Sequence, residues 1–488
     1  MMRRLIGLVV LSGVMQAAGA QRVLTLDSCR AMALRNNKQM SVQRVKQEVA
    51  KNIRKSARTK YLPHVSAAGG YLYTSKEISI LSDESKETLS NLGTNSVNQM
   101  QTGLASAMPV LSALFGSTAP VTSMMNGMAG TLNQIGQGIV DELHTDTRHM
   151  FGGAILVTQP IFMGGAIVAM NKMADLGEDL AANSADARRQ ETLYQIDQAY
   201  WQVVSLRHKQ KLAESFLELV KKLDGDVQKM IQEGVATRSE GLSVSVKVNE
   251  AEMAVMKVND GLTLSKMLLC QLCGLPVEEQ VTLADEETED IATVGITETF
   301  QKSDYLENRP ELKMLQNVVD INHQATNLLK AGNLPQVLLV GGYSASNPNV
   351  YNGFQRKFSG AWNIAVLMRV PIWNWGDVAY KVRAAKGATT IATLEMEEAR
   401  EKMELQVNQS NFRVNEANKK LLLAQASQQR ADENLRMATL GFQEGVISST
   451  TVMEAQTAWL QAQSQRIDAE IGVQLSRVNL QKSLGTLR

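Results

Sequence analysis

The chain has 488 residues, with 50 Lys plus Arg against 49 Asp plus Glu, a formal charge of +1 at pH 7, and 44% hydrophobic but only 5% aromatic residues. That length suits two or three ordinary domains or one elongated one. The balanced charge excludes the basic footprint expected of a nucleic-acid binder or of a protein that coats an anionic surface.

In chain order, the first twenty residues, MMRRLIGLVVLSGVMQAAGA, read as a secretory signal. Arg3 and Arg4 form the charged start, residues 5–14 the apolar core, and Ala18-Gly19-Ala20 the cleavage site, so the mature chain is expected to begin near Gln21. A membrane anchor is the alternative, but the apolar run is too short to span a bilayer. No later segment has ~18 or more uninterrupted apolar residues. Such a chain is either soluble outside the cytoplasm or crosses a membrane as β-strands, because in lipid only helices and closed barrels satisfy every backbone group.

The remaining elements come twice. An opening helix carries LRNNKQM at 34 and LENRPEL at 306; an extended segment carries YLPHVSAAGGY at 61 and NLPQVLLVGGY at 333. Both pairs are 272 residues apart. QPIF at 159 and VPIW at 370, QEGV at 232 and 443, and Gly274 and Gly485 are all 211 apart. Two large tandem units follow, 21–280 and 306–488, joined by a linker at 281–305. Each is read as a helix, two strands, a very long helix, a QEGV turn and a shorter return helix.

The strands are predicted at about 64–74, 151–160, 336–346 and 357–371. Trp362, Ile364, Val366, Met368 and Val370 alternate onto one face, as do Val337, Leu339, Gly341 and Tyr343. Aromatics at strand ends, among them Tyr71, Tyr343, Trp362, Trp373 and Trp375, fit the interfacial girdles of an outer-membrane barrel. A soluble sheet buried against helices is the other reading. The long helices are predicted at 166–232 and 377–443, the first with Leu193, Ile196, Tyr200, Val203, Leu212, Phe216, Leu219, Leu223 and Val227 at steps of three and four. Their tips fall at 232–239 and 443–450, and the return helices end near 273 and 484. Four strands cannot close a membrane barrel, so several chains must share one: eight strands in a dimer, twelve in a trimer.

The first unit carries an insertion at 76–150, rich in Ser, Gly, Met, Asn and Thr, which is expected as an extracellular loop with short helices at 110–114 and 132–140. Within it Asp141, Glu142, His144, Asp146 and His149 have no metal-site spacing, and no metal is expected. Many of the 24 methionines sit at apolar helix positions and read as core filling, against the alternative of soft thioether ligands for Cu(I). Cys270 and Cys273 form a C-x-x-C without the further ligands that zinc needs, on an apolar helix face, and read as buried hydrophobes. Cys29 lacks a preceding lipobox. Nucleotide-binding and hydrolase motifs are absent, so neither an enzyme nor a cofactor is expected.

Taken together, the opening LTLDSCRAMALRNNKQM, the junctions QPIFMGG and VPIWNWG, both QEGV tips and the closing NLQKSLGTL resemble the TolC-type outer-membrane efflux protein family over essentially the whole mature chain. The resemblance implies a mixed, mainly α fold. It assembles as a homotrimer with a twelve-stranded outer-membrane β-barrel continued by a long periplasmic α-helical barrel. It further implies an exit duct of a tripartite efflux pump or type I secretion system, working with a periplasmic adaptor and an inner-membrane transporter of RND, ABC or MFS type. The adaptor-docking tips would be Gly234, Val235, Ala236 and Thr237 with Gly445, Val446, Ile447 and Ser448. The family's constricting acids map to Glu240, Ser243, Thr451 and Glu454, and a tip aromatic to Phe442. One carboxylate therefore survives per tip, and Phe442 lacks a hydroxyl. Glu240 and Glu454 read either as a selectivity ring or as helix-start acids held by the helix dipole. The rivals are a soluble secreted coiled-coil interaction protein and a heavy-metal exporter subunit.

Overall fold

Segments of helical period and segments of strand period form separate units of the computed structural model. One unit comprises Met1–Lys55, Ala169–Thr326 and Lys381–Arg488; the other comprises Ser56–Val168 and Asn327–Tyr380. The structure describes residues 22–77, 79–105, 119–144, 146–288, 291, 307–351 and 355–487. The signal segment, residues 110–114 and most of the 281–305 linker lie outside the described residues.

The helical unit begins with a short strand, β1 (Arg22–Leu24), then α1 (Leu26–Asn36) and α2 (Lys38–Thr59). Thr25 starts α1 because its Oγ1 accepts the Ser28 amide at 3.2 Å, which satisfies one orphan donor. The long helices α6 (Ala166–Gln232) and α9 (Asp377–Gln443) have 67 residues each, on the order of 100 Å of rod at ~1.5 Å per residue. The return helices are α7 (Arg238–Cys273) and α10 (Ser449–Ser483). Between them lie β4 (Val281–Leu283), parallel to β1, and α8 (Pro310–Lys330).

The main core gathers Ile196, Tyr200, Val203 and Val204 of α6, Leu269 and Cys273 of α7, Cys29 of α1, Val281 and Leu283 of β4, and Ile471 of α10. Burying each large side chain contributes about 1.5–3 kcal/mol. The predicted seam on α6 holds: Leu193, Phe216, Leu223 and Val227 are buried, while Leu212 and Leu219 are half-buried. Inside this core Arg30 forks onto fully buried Asp197, at 2.7 Å to Oδ1 and 2.5 Å to Oδ2. Burial pushes the Asp197 carboxyl up, and the guanidinium opposes that only in part. Tyr200 donates to Asp285 at 2.6 Å, which ties the segment after β4 to α6.

Each return helix ends on a left-handed glycine, Gly274 (φ 72°) or Gly485 (φ 71°), held against its opening helix. Asn37 Nδ2 donates to the Leu272 carbonyl at 3.1 Å, and Arg309 Nη1 donates to the Ser483 carbonyl at 2.6 Å. Asn37 and Arg309 are related by the 272-residue register, Leu272 and Ser483 by the 211-residue one. The duplication therefore extends to the hydrogen bond that closes each half.

The second unit contains a four-stranded antiparallel meander in the order β2 (His64–Tyr73), β3 (His149–Met163), β5 (Gln336–Asn347), β6 (Ser359–Arg369). Gly69 pairs with Gly153, Ile155 with Tyr343, and Tyr343 with Trp362. Residues paired directly across antiparallel strands share a face. One face therefore holds Val65, Val157, Leu339, Ile364, Val366 and Met368. The other is built mostly of small or polar residues such as Ser66, Ala68, Gly152, Ala154, Ser344, Asn363 and Ala365, with Leu72, Leu156, Val340 and Leu367 among them. Pro160, which cannot donate to a ladder, sits where β3 shifts register between Pro160 and Phe162.

The insertion between β2 and β3 is more helical than expected. It forms α3 (Asp83–Ser90), α4 (Leu92–Leu104) and α5 (Ala119–Glu142), the last containing the predicted short helix at 132–140. No side chain at Asn91 caps α4. Instead Asn133 of α5 accepts the Gly93 amide at 2.7 Å and the Thr94 amide at 3.1 Å, a cap supplied by a residue some forty positions on.

The strand-to-helix junctions differ between the halves. Gly164 (φ 62°) and Gly165 (φ 85°) precede α6; the equivalent positions before α9 are Trp375 (φ 54°) and Gly376 (φ 80°). A Cβ on Gly164 would lie 2.7 Å from the Ala331 carbonyl oxygen, so only glycine fits there. Trp375 carries its left-handed strain, about 1–2 kcal/mol, with its ring exposed. Gly164→Ala is expected to cost about 1–3 kcal/mol, whereas Trp375→Gly should leave stability unchanged or raise it. Urea unfolding in detergent, followed by tryptophan fluorescence and circular dichroism, measures both.

Candidate functional site at the paired hairpin tips

Both QEGV tips fold by the same local rule. After α6, the Gly234 amide donates to Ile231 O at 3.1 Å and the Val235 amide to Met230 O at 2.8 Å; after α9, Gly445 donates to Phe442 O at 3.0 Å and Val446 to Gly441 O at 2.8 Å. With φ of 77° and 74° at the two glycines, each is a Schellman closure. Thr237 and Ser448 then cap the return helices, accepting the amides of Glu240 at 3.2 Å and Thr451 at 3.3 Å.

Beneath the tips one apolar cluster joins all four helices: Leu223 and Val227, Val244, Ala438 and Phe442, Val452 and Ala455. Phe442 is thus a buried wedge between the two hairpins. At each turn a valine stands out among exposed polar neighbours: Val235 is 70% exposed and Val446 82%. Gly234, Thr237, Gly445 and Ser448 are also exposed, with Ala236 and Ile447 half-buried. Burial in this cluster holds the two tips of one chain together.

The acid positions have separate local roles. Glu240 Oε2 accepts the Thr237 amide at 2.7 Å and the Thr237 hydroxyl at 3.0 Å, completing a capping box. The Thr237 amide and then its hydroxyl hold the Glu240 carboxyl below the usual carboxylate range. Its repeat counterpart, Thr451, shares a hydroxyl contact with Ser448 at 3.2 Å and carries no charge. Glu454 is exposed and has no capping role; with its counterpart Ser243 it lines an open cleft between α7 and α10 that also holds Lys247 and Glu250. The structure therefore brings Ser243 and Glu454 into one cleft and commits Glu240 to its own helix start.

The aromatics form two rows on the sheet unit. At one end Tyr71 lies 4.9 Å from Phe151 and bonds His149 Nδ1 at 2.7 Å, and Tyr343 pairs with Trp362, which is 75% exposed. Beyond the opposite end of β6, Trp373 and Trp375 meet edge-on at 5.8 Å. About six to eight strand residues separate the rows, an apolar band on the order of 20–25 Å. At the insertion's end Asp146 accepts from Arg148 at 2.9 Å and Arg356 at 2.6 Å; these guanidiniums hold its carboxyl well below the usual range and occupy the oxygens a metal would need. Among the described residues no three His, Cys, Asp or Glu side chains converge.

One feature escaped the sequence reading. Leu242, Val246, Met253, Leu264 and Leu268 form an exposed stripe on α7, as do Ile391, Leu405, Phe412, Leu422 and Leu440 on α9 and Val42, Val45, Val49 and Ile53 on α2. Their helical spacing was present in the sequence, but period alone does not say whether a stripe faces its own core or a partner.

Fold and tips define a class of protein. Residues 302–486 match the family model described as Outer membrane efflux protein. The chain is 23% identical to Outer membrane protein TolC of Vibrio cholerae over 313 residues, 62% of this chain and 69% of that protein. Among solved structures, it superposes on the channel CusC with a TM-score of 0.72 and 14% identity, covering 97% of this chain and 95% of that one. The outer membrane protein VceC of Vibrio cholerae gives 0.70 at 14% identity, covering 94% and 96%. The chain shares the fold of these outer-membrane proteins, and residues 302–486 match the sequence model of outer membrane efflux proteins.

Removal of the first tip's cap by Thr237→Ala is expected to cost about 1 kcal/mol in the first turn of α7, read as faster amide exchange there than in α10. The depressed Glu240 carboxyl stabilises the folded state fully above its unfolded value and loses that effect as pH falls through its lower folded value. Glu240→Gln should therefore fray this turn relative to wild type at pH 6 and match wild type in strong acid.

Proposed function

We propose that the chain is one subunit of a trimeric outer-membrane channel that serves as the exit duct of a tripartite efflux pump or type I secretion system. The observation that carries this is the sheet. Its two edge strands, β2 and β6, have no partner among the described residues, and its apolar face lies exposed between two aromatic rows. In lipid, unpaired edges are excluded. β6 of one copy is antiparallel-compatible with β2 of the next, because the strand directions alternate through the meander.

The small-residue face favours three copies over two. An eight-stranded barrel is just wide enough to be filled by its own side chains, and Gly, Ala and Ser would leave it poorly packed. Twelve strands lined this way leave an aqueous bore. The exposed stripes on α2, α7 and α9 then become seams between subunits of a periplasmic helical barrel. Transport is passive, driven by an inner-membrane transporter of RND, ABC or MFS type. A periplasmic adaptor docks on the six tips through Val235, Ala236, Val446 and Ile447. Three copies of Glu454, with Ser243, Thr451 and Glu240 nearby, line the periplasmic mouth and favour cations.

Detergent-extracted protein should run as a heat-dissociable trimer on gels; a monomer soluble without detergent would overturn this reading. In planar bilayers Glu454→Ala is expected to lower cation preference more than Glu240→Ala, whose carboxylate is already bound to its own helix. Val446→Asp should abolish cross-linking to the adaptor while leaving conductance intact.

A further inference from the structure

The three cysteines take no part in the duct, yet they lie together. Cys29 on α1 and Cys273 at the end of α7 are fully buried, 244 residues apart in sequence, and the Cys273 sulfur lies 3.8 Å from the Cys29 carbonyl oxygen. Both side chains belong to the same buried cluster. Cys270, the other half of the C-x-x-C, turns away and sits 3.7 Å from the Glu279 carbonyl. The segments bearing the pair are held in register independently, by Asn37 on the Leu272 carbonyl and by Gly274 seated against Asn36.

Packing alone does not require sulfur here. The counterpart of Cys273 in the second repeat is Leu484, which is also buried, in a repeat whose closing turn is otherwise the same. The first half thus places a buried thiol against the Cys29 backbone at the position where the second half has a plain hydrocarbon.

We propose that Cys29 and Cys273 form a disulfide in the exported protein, a covalent clasp between the start of the mature chain and the end of the first return helix. This rests on the export reading above, because dithiols stay reduced in the cytosol and are oxidised in the periplasm. The oxidant is a periplasmic thiol–disulfide oxidoreductase acting before the core closes. One cysteine thiolate attacks its disulfide to give a mixed disulfide, and the second thiolate displaces the enzyme. The Sγ–Sγ bond forms, two S–H bonds are lost, and the two electrons and two protons leave on the oxidoreductase as its dithiol. A link closing so long a loop constrains the unfolded chain strongly.

The test uses full-length protein extracted from the outer membrane, alkylated under denaturing conditions without reductant, digested and mapped by mass spectrometry. A peptide linking Cys29 to Cys273 with Cys270 alkylated is expected. So is a faster non-reducing gel mobility that Cys29→Ser and Cys273→Ser each abolish and Cys270→Ser keeps. Alkylation of all three thiols in outer-membrane protein, or a link through Cys270, would overturn the clasp while leaving the channel reading in place. Recovery in the cytoplasm with residues 1–20 still attached would overturn the export reading, and the clasp with it.

Discussion

The constraint on which the rest depends is that backbone polar groups in a bilayer must pair with one another. Four strands satisfy it only in their interior: β3 and β5 are paired on both sides, β2 and β6 on one. In the proposed channel, the open edges of β2 and β6 would be paired by other copies of the chain. A single copy also leaves stripes of Leu, Val and Met exposed on α2, α7 and α9. Sheet edges and helix stripes are open in the same way, and the proposed assembly in lipid covers both at once.

Within one copy the organising device is duplication with selective departure. The two registers seen in the sequence reappear as paired contacts, with Asn37 and Arg309 closing equivalent return helices and Gly234 and Gly445 turning equivalent tips. The departures fall where surroundings differ. Gly164 is obligatory because the Ala331 carbonyl crowds it, while Trp375 stands in open space and places an indole at the end of the sheet. Glu240 completes a capping box that Thr451 cannot, and Glu454 is a free acid where Ser243 is not. The buried wedge at Phe442 keeps the unlike tips side by side, so one chain presents two related but different surfaces.

Much of this was legible beforehand because it is periodic or local. The seam from Leu193 to Val227 lacks proline and keeps a helical step, so α6 was readable at length. The alternation around Trp362 and Tyr343 was readable as strand, and the glycine of each QEGV as a turn. The insertion was less legible. Its helix α4 is capped by Asn133 from another helix, and a cap delivered across some forty residues leaves no local signal. The candidate acids were legible as positions but not as roles, since a glutamate three residues after a threonine looks the same whether it caps a helix or faces a bore.

The sequence by itself determined the repeat, the kinds and order of the elements, and the residues at each turn, because these follow from short-range backbone preferences and the spacing of apolar side chains. Only the tertiary structure decided which stripes face the core and which remain open, that Phe442 is a wedge, that Glu240 is bound and Glu454 free, and that Cys29 meets Cys273 rather than Cys270. Those outcomes depend on segments hundreds of residues apart arriving at one place, and chain spacing carries no record of that.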